Sequence, residues 1–298
     1  MGGMKRKAEE SLGSGHKWMR GSRIGEGGFG SVFVAFTRIP YIHSHHMPEA
    51  MAVKSAKMKD SGSIQYELEV YNDMKNRGGL CPFIIDHYGE EVTTSSKGEE
   101  VYNLALEVAW GSLARLIKNV GGGLPQRDVR RYTRDILQGI AYMHKCGYVH
   151  CDLKPENVLL VENEDEDVPR RMIAKVADLG LAKKKDEDHG RWRGTPMYLA
   201  PETLRFNEQE EPSDIWALGC IVLEMITGEP ARNHFYDEDS NKIVVVDGAV
   251  PKIPEDEISG VAEDFLGCCL DNYTDRSTAE KLLSHPFVAG KYLHIDFT

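Results

Sequence analysis

The chain has 298 residues, of which 36 are basic and 47 are acidic, so its formal net charge is −11. This acidic balance argues against nucleic-acid binding through a broad basic surface, but a local basic pocket for phosphates is not excluded. A hydrophobic content of 41% excludes a wholly disordered or fibrous chain, and the length predicts one large or two small cores. We find no apolar run of about 18 residues, so no membrane span is predicted.

The two ends of the chain are predicted to lie outside its folded part. Residues 1–17 are polar and read as a flexible tail, and residues 290–298 read as a short extension. The tail lacks the apolar core of a secretory signal, and six cysteines without zinc-type spacing fit free thiols in a reducing compartment. We therefore expect a cytoplasmic protein, with nuclear entry left open by Lys5-Arg6-Lys7.

The first half of the remaining chain is rich in strand signals. Segments 31–36, 51–54 and 103–106 favour strands, and apolar residues at helical spacing predict a helix over 63–76. Three histidines at positions 43, 45 and 46 are interpreted as part of a polar loop, because no cysteine or acidic residue lies at ligand spacing.

The character becomes helical after residues 107–112. Apolar residues recur at helical spacing from Val129 to Met143, and a second apolar helix is predicted from Asp214 to Thr227. Ser213 is the predicted N-cap of that helix, and Gly228 is predicted to end it. The pattern therefore indicates a β-rich N-lobe over residues 18–107 and a helical C-lobe over residues 112–289.

A glycine-rich segment over residues 25–32 follows the pattern GxGxxGxV. Glycines let backbone N–H groups approach phosphate oxygens closely. A dinucleotide-binding motif needs a helix directly after its third glycine. Here a strand signal follows the third glycine, which disfavours that kind of site. Lys54 lies in the next strand segment, where its ammonium can pair with α- and β-phosphates. Glu67 is our choice of carboxylate to hold Lys54, because its neighbours place it on the inward side of the helix, and Glu69 is the fallback.

The segment HCDLKPEN at 150–157 carries the chemistry. Asp152 is placed to accept a hydroxyl proton or to orient the hydroxyl, and Lys154 can neutralise a transferred phosphoryl group. Asn157 offers a carbonyl oxygen to a divalent cation, and Asp178 in the segment DLG offers a carboxylate. Oxygen ligands of this kind suit Mg²⁺.

Together these residues resemble the protein-kinase family over roughly residues 20–289. The matching motifs are, in order, the glycine loop, AVK at 52–54, HCDLKPEN at 150–157, DLG at 178–180, APE at 200–202 and DIWALG at 214–219. The resemblance implies an α+β bilobal protein-kinase fold, with a small β-rich N-lobe that contains one main helix, a larger helical C-lobe, and ATP in the cleft.

The resemblance also implies roles for individual residues. Leu106 is the gatekeeper, and Glu107–Ala109 form the adenine hinge. Thr195 contacts Asp152 and Lys154 beside the substrate, while Glu202 and Arg276 form the buried pair that anchors the activation segment. The implied nucleotide-binding residues are Ile24, Gly25, Gly27, Gly28, Phe29, Gly30, Val32, Ala52, Lys54, Leu106, Glu107, Val108, Ala109 and Leu159.

The type of substrate is implied by two short motifs. Lys154-Pro155-Glu156 and Gly194-Thr195-Pro196 are similar to those of serine/threonine kinases, and longer stretches resemble the MEKK-like MAP kinase kinase kinases of plants. The implied partner is a protein substrate, a MAP kinase kinase. The alternatives are a serine/threonine kinase of another group and a nucleotide-binding pseudokinase scaffold, which four intact residues disfavour: Lys54, Asp152, Asn157 and Asp178.

The chain departs from the family pattern in its activation segment. Cys151 replaces the arginine that normally binds an activation-loop phosphate, and residues 181–194 contain no Ser, Thr or Tyr. We therefore hypothesise that activity does not depend on phosphorylation of this loop. Charges at 183–185 and 186–188, or a partner, would then order the loop, and Cys151 is expected to be a buried, inert thiol.

Overall fold

A computed structural model describes residues 12–41, 47–163, 171–187, 190–231, 234–237, 242–245 and 258–290. The chain divides into two compact units, of which unit 1 comprises residues 1–72 and 86–108 and unit 2 comprises residues 73–85 and 109–298. The three histidines at 43–46, the first eleven residues and almost all of the C-terminal extension lie outside the described residues. None of the helices in the described part of the chain is long and apolar enough to cross a membrane.

Unit 1 contains an antiparallel sheet of five strands in the order β1-β2-β3-β5-β4. The strands are β1 (Trp18–Gly27), β2 (Gly30–Thr37), β3 (Ala50–Lys57), β4 (His87–Thr94) and β5 (Glu100–Leu106). Side chains alternate between the two faces of a strand, so Met51 and Val53 lie on one face and pack with Trp18, Ala35 and Ala105. Lys54 is thereby placed on the opposite face.

One long helix follows β3. Helix α1 (Gly62–Gly78) buries Ile64, Val70, Tyr71 and Met74 at helical spacing, in agreement with the predicted pattern. Its last turns belong to unit 2, because Tyr142 Oη donates to the Met74 carbonyl at 2.9 Å. The predicted N-lobe included residues 73–85, which the structure places in unit 2.

Part of the predicted N-terminal tail packs on the sheet. Thr93 Oγ1 donates to the Leu12 carbonyl at 2.9 Å, and His16 N donates to Glu91 Oε1 at 2.8 Å. Arg20 Nε donates to the Gly13 carbonyl at 2.7 Å. Residues 12–17 are therefore attached to unit 1 by hydrogen bonds to β1 and β4.

Unit 2 is mainly helical. Its longer helices are α2 (Leu113–Val120), α3 (Gln126–Lys145), α5 (Glu211–Thr227) and α6 (Gly260–Cys269), and its shorter helices are α4 (Pro201–Phe206), α7 (Ala279–Leu283) and α8 (Pro286–Ala289). Its strands are β6 (Gly111–Ser112), β7 (Tyr148–Val149), β8 (Val158–Glu162), β9 (Met172–Val176), β10 (Lys183–Lys184), β11 (His234–Asp237) and β12 (Lys242–Val245). The predicted apolar face of α3 is buried from Val129 to Met143.

Helix α5 begins three residues before the predicted start. Its N-cap is Glu210, so the prediction of Ser213 as N-cap is wrong. Ser213 occupies the third helical position, where its hydroxyl accepts from the Glu210 N–H while the Glu210 side chain accepts from the Ser213 N–H. This reciprocal pair satisfies two N–H groups that the helix leaves unbonded. Gly228 ends the helix in a left-handed conformation, as predicted.

Candidate active site

The glycine-rich segment of unit 1 is a hairpin between β1 and β2. Gly27 pairs with Gly30, so Gly28 and Phe29 form the turn. Gly30 has a φ of +140° and a Cβ there would lie 2.4 Å from the Ser55 carbonyl oxygen, so close approach of β3 requires this glycine. A Cβ on Gly27 or Gly28 would meet no heavy atom within 4 Å, so packing does not explain these two glycines.

Lys54 and Glu67 form a buried ion pair in unit 1. Lys54 Nζ donates to Glu67 Oε2 at 2.7 Å, and the two side chains are 10% and 1% exposed. The Lys54 ammonium also lies 5.9 Å from the centre of the Phe29 ring. Glu67, the preferred carboxylate in the sequence analysis, therefore contacts Lys54, whereas the fallback Glu69 is exposed. The ion pair and the ring contact together place the Lys54 ammonium near the glycine turn.

The residues predicted on the adenine side lie along neighbouring strands. Ala52 pairs with Leu106 across β3 and β5, and both are buried. Val32 pairs with Lys54 across β2 and β3 and is half-buried. At the edges, Ile24 and Val108 are exposed.

The predicted hinge crosses the boundary between the two units. Glu107 N donates to the Asp86 carbonyl at 2.9 Å, and Asp86 N donates to Glu107 Oε2 at 3.1 Å. These two bonds attach Glu107 to unit 1. Ala109 begins the second stretch of unit 2, and Leu159 lies in unit 2 on β8, where it pairs with Ser112.

Four predicted residues meet in the catalytic loop of unit 2. Asp152 Oδ1 accepts from Thr195 Oγ1 at 2.7 Å, and Asp152 Oδ2 accepts from Lys154 Nζ at 2.9 Å and from Asn157 Nδ2 at 3.1 Å. Lys154 Nζ also donates to Thr195 Oγ1 at 2.8 Å. The Asp152 carboxylate therefore already accepts a hydrogen bond from one hydroxyl, that of Thr195. An alcohol substrate would need the same interaction with a catalytic base.

The backbone of this loop is held by residues that the sequence analysis did not single out. Asp214 accepts from the His150 N–H at 2.8 Å and from the Cys151 N–H at 3.1 Å, where Cys151 has a φ of +68°. Burial alone would raise the pKa of Asp214, but contacts with His144 and His150 keep it below its ordinary value. The sequence analysis placed Asp214 only at the start of helix α5, because its bonds reach residues 64 and 63 positions away and have no local signal.

The two predicted metal ligands lie at one end of the β8–β9 hairpin. Asn157 precedes β8, Asp178 follows β9, and the Ala177 N–H donates to the Asn157 carbonyl at 2.9 Å. Asn157 Nδ2 donates to the Asp152 carbonyl and carboxylate, so the amide oxygen is the atom left for the predicted metal contact. Asp178 adopts a left-handed conformation with a φ of +63°. A carbonyl oxygen and a carboxylate at one hairpin end fit Mg²⁺, which binds few protein oxygens.

A second buried ion pair connects the end of the activation segment to the C-terminal helices. Arg276 donates to both carboxylate oxygens of Glu202, at 2.6 and 3.2 Å, and its side chain is 1% exposed. Arg276 also donates to the Pro212 and Asp271 carbonyls. The resemblance implied this pair, and the structure shows it as a two-bond contact of the kind that fixes geometry.

Comparison with known proteins agrees with this fold and site. The protein kinase domain family matches residues 18–288, and the chain therefore belongs to the protein kinase family. Mitogen-activated protein kinase kinase kinase 20 of Arabidopsis thaliana is 38% identical, over 91% of this chain and 78% of the relative. Mitogen-activated protein kinase kinase kinase 18 of the same plant is 36% identical, over 92% of this chain and 78% of the relative.

These comparisons confirm several sequence-based predictions. The α+β protein-kinase fold, the serine/threonine kinase class and the similarity to plant MAP kinase kinase kinases are confirmed. Membership of the family implies that the chain uses ATP and acts on a protein. The roles of the individual site residues remain predictions.

Proposed function

We propose that this chain is a MAP kinase kinase kinase that transfers the γ-phosphoryl group of ATP to a Ser or Thr hydroxyl of a MAP kinase kinase. The observation that carries the proposal is the set of three donors around the Asp152 carboxylate. In this arrangement a substrate hydroxyl donates to the Asp152 carboxylate beside the Thr195 hydroxyl, which keeps its contact with Asp152. Asp152 then orients the substrate hydroxyl for attack and accepts its proton.

The remaining residues act on charge and position. Lys154 neutralises the transferred phosphoryl group, and Lys54, held by Glu67, pairs with the α- and β-phosphates. Asn157 and Asp178 hold Mg²⁺, which neutralises charge on the phosphates when it is bound. Backbone N–H groups of Gly27 and Gly28 contact the phosphates, which accounts for glycines that packing does not require.

The choice of substrate is supported by the relatives. Three relatives at 35–38% identity are named mitogen-activated protein kinase kinase kinases. In each of them the match with this chain covers at least 70% of the relative's length. Lys154 and Thr195, which contact each other, support a Ser or Thr hydroxyl as acceptor. A MAP kinase kinase is therefore the expected protein substrate.

Phosphotransfer from radiolabelled ATP tests the proposal. The wild-type chain is incubated with ATP and Mg²⁺ and with a panel of inactivated MAP kinase kinases, a generic acceptor protein serving as comparison. We expect label on Ser or Thr of at least one MAP kinase kinase and a loss of at least a hundredfold in Asp152→Asn. Label on the generic acceptor alone would contradict the substrate class, and equal label with Asp152→Asn would contradict the role of Asp152.

A further inference from the structure

The start of the activation segment is anchored to the N-terminus of helix α5. Lys183 is 6% exposed, and its ammonium forms an ion pair with the Glu210 carboxylate. The same ammonium donates to the Glu187 carbonyl at 3.1 Å. A buried ammonium is costly unless it is paired, so the Glu210 carboxylate fixes the start of the segment in place.

The end of the segment is anchored by the neighbouring residue, Gln209. Its amide nitrogen donates to the Arg193 carbonyl at 2.8 Å and to the Cys151 carbonyl at 3.1 Å, and its amide oxygen accepts from the Arg193 N–H at 3.0 Å. Gln209 is 6% exposed. One buried side chain therefore joins the segment to the catalytic loop.

The second anchor lies directly beside the catalytic residues. Gly194 has a φ of +106°, and a Cβ there would lie 2.2 Å from the Cys151 carbonyl oxygen. The next residue is Thr195, whose hydroxyl donates to Asp152. A shift of Arg193 would therefore move Thr195 away from the Asp152 carboxylate.

Helix α5 supplies the acidic partners of the segment. The sequence analysis left open whether the charges at 183–185 and 186–188 or a partner order this loop. In the described residues Lys183 pairs with Glu210, and Lys185 pairs with Glu211 at 3.3 Å. The Asp186 N–H also faces Glu210, at 3.4 Å. Helix α5 therefore supplies a fixed negative charge to a segment that contains no Ser, Thr or Tyr at 181–194.

We propose that Gln209 and Glu210 are positioning residues that hold the activation segment in its active arrangement without phosphorylation. The proposal rests on the proposed kinase function and states how that site is kept assembled. The Glu210 carboxylate gives Lys183 the negative partner that a phosphate on this segment would otherwise provide. Gln209 then fixes the distance between Arg193 and the catalytic loop.

Charge removal at Glu210 tests the proposal. In Glu210→Gln an amide oxygen still accepts from the Ser213 N–H, so the helix cap is kept while the ion pair to Lys183 is lost. The matched control is Glu211→Gln, because Glu211 is adjacent, carries the same charge and pairs with the more exposed Lys185. Kinetic constants are measured with the phosphatase-treated full chain, together with amide hydrogen exchange of residues 183–187 and 190–195.

We expect kcat of Glu210→Gln to fall at least tenfold with an unchanged KM for ATP, and exchange in the segment to rise. Glu211→Gln should match the wild type in both readouts. Lys183→Gln should reproduce the loss, and the double variant should be no worse than either single variant, because one interaction is removed in all three.

Three results would overturn the proposal. They are wild-type kcat and exchange in Glu210→Gln, additive losses in the double variant, and a wild-type chain that loses nearly all activity after phosphatase treatment. Hydrogen exchange separates this proposal from the proposed function, since the segment should loosen in Glu210→Gln even if no MAP kinase kinase is labelled.

Discussion

Replacing Glu67 by glutamine should destabilise the protein and slow its reaction with ATP. Loss of one charge from a buried ion pair costs about 3–5 kcal/mol, because the remaining charge stays buried without a counter-charge. Lys54 and Glu67 are 10% and 1% exposed and only 2.7 Å apart. Glutamine keeps one oxygen that can accept from Lys54, so we take the low end of this range, about 3 kcal/mol.

That free energy converts to a measurable shift in melting temperature. Roughly 2 °C per kcal/mol applies to a chain of this length, so Tm should fall by about 6 °C. Displacement of the Lys54 ammonium should also lower kcat/KM for ATP by at least tenfold. Thermal melting followed by circular dichroism and initial rates of phosphotransfer measure the two effects.

Glu69→Gln is the control on the same helix. Glu69 is exposed, so its replacement should change stability by less than about 0.5 kcal/mol and leave kcat/KM unchanged. The assignment of Glu67 would be wrong if Glu67→Gln melted within 1 °C of the wild type with full activity. Equal damage from both variants would also refute it.

Three further predictions concern unit 2. Asp178→Asn should lower kcat at least a hundredfold, because the variant loses a charged Mg²⁺ ligand. The fold should be kept, because asparagine tolerates the φ of +63°. Weaker Mg²⁺ binding at an unchanged Tm would confirm both expectations. Thr195→Val should lower kcat more than Thr195→Ser, since only serine keeps the hydroxyl that donates to Asp152. Steady-state kinetics measure both variants, and equal losses of kcat would contradict this role. Burial raises the pKa of Asp135 to about 6, against the lowering effect of the Ala174 N–H. Between about pH 4 and pH 6 the folded state keeps a proton that the unfolded state has lost. Asp135 therefore lowers the free energy of unfolding progressively over this interval, by roughly 3 kcal/mol once pH 7 is reached. The Tm of Asp135→Asn minus the Tm of the wild type should therefore increase as the pH rises over this range. A Tm difference that does not change with pH would contradict the raised pKa of Asp135.

Local patterns predicted the parts of the site that depend on periodicity. Glu67 could be chosen over Glu69 because helical spacing places Val70, Tyr71 and Met74 on its side, and these three are buried. The order of motifs along the chain similarly located Asp152 and Asn157. These two residues are only five positions apart, so their contact is local in the sequence.

Interactions between distant segments were not accessible in this way. Lys183 and Glu210 are 27 positions apart, and the local charge pattern of the segment does not indicate a partner in helix α5. The start of α5 was misplaced because serine is a common N-cap residue, whereas Glu210 is the cap here and Pro212 lies in the first helical turn, where proline is tolerated. Both the ion pair and the helix cap involve Glu210, whose role depends on the tertiary fold.

A crystal structure of the chain with a non-hydrolysable ATP analogue and Mg²⁺ tests the central claim most directly. We predict that Lys54 contacts the α- and β-phosphates, that Asn157 and Asp178 bind the Mg²⁺ ion, and that Asp152 faces the γ-phosphate. A nucleotide bound without contact to these four residues would contradict the proposed phosphotransfer.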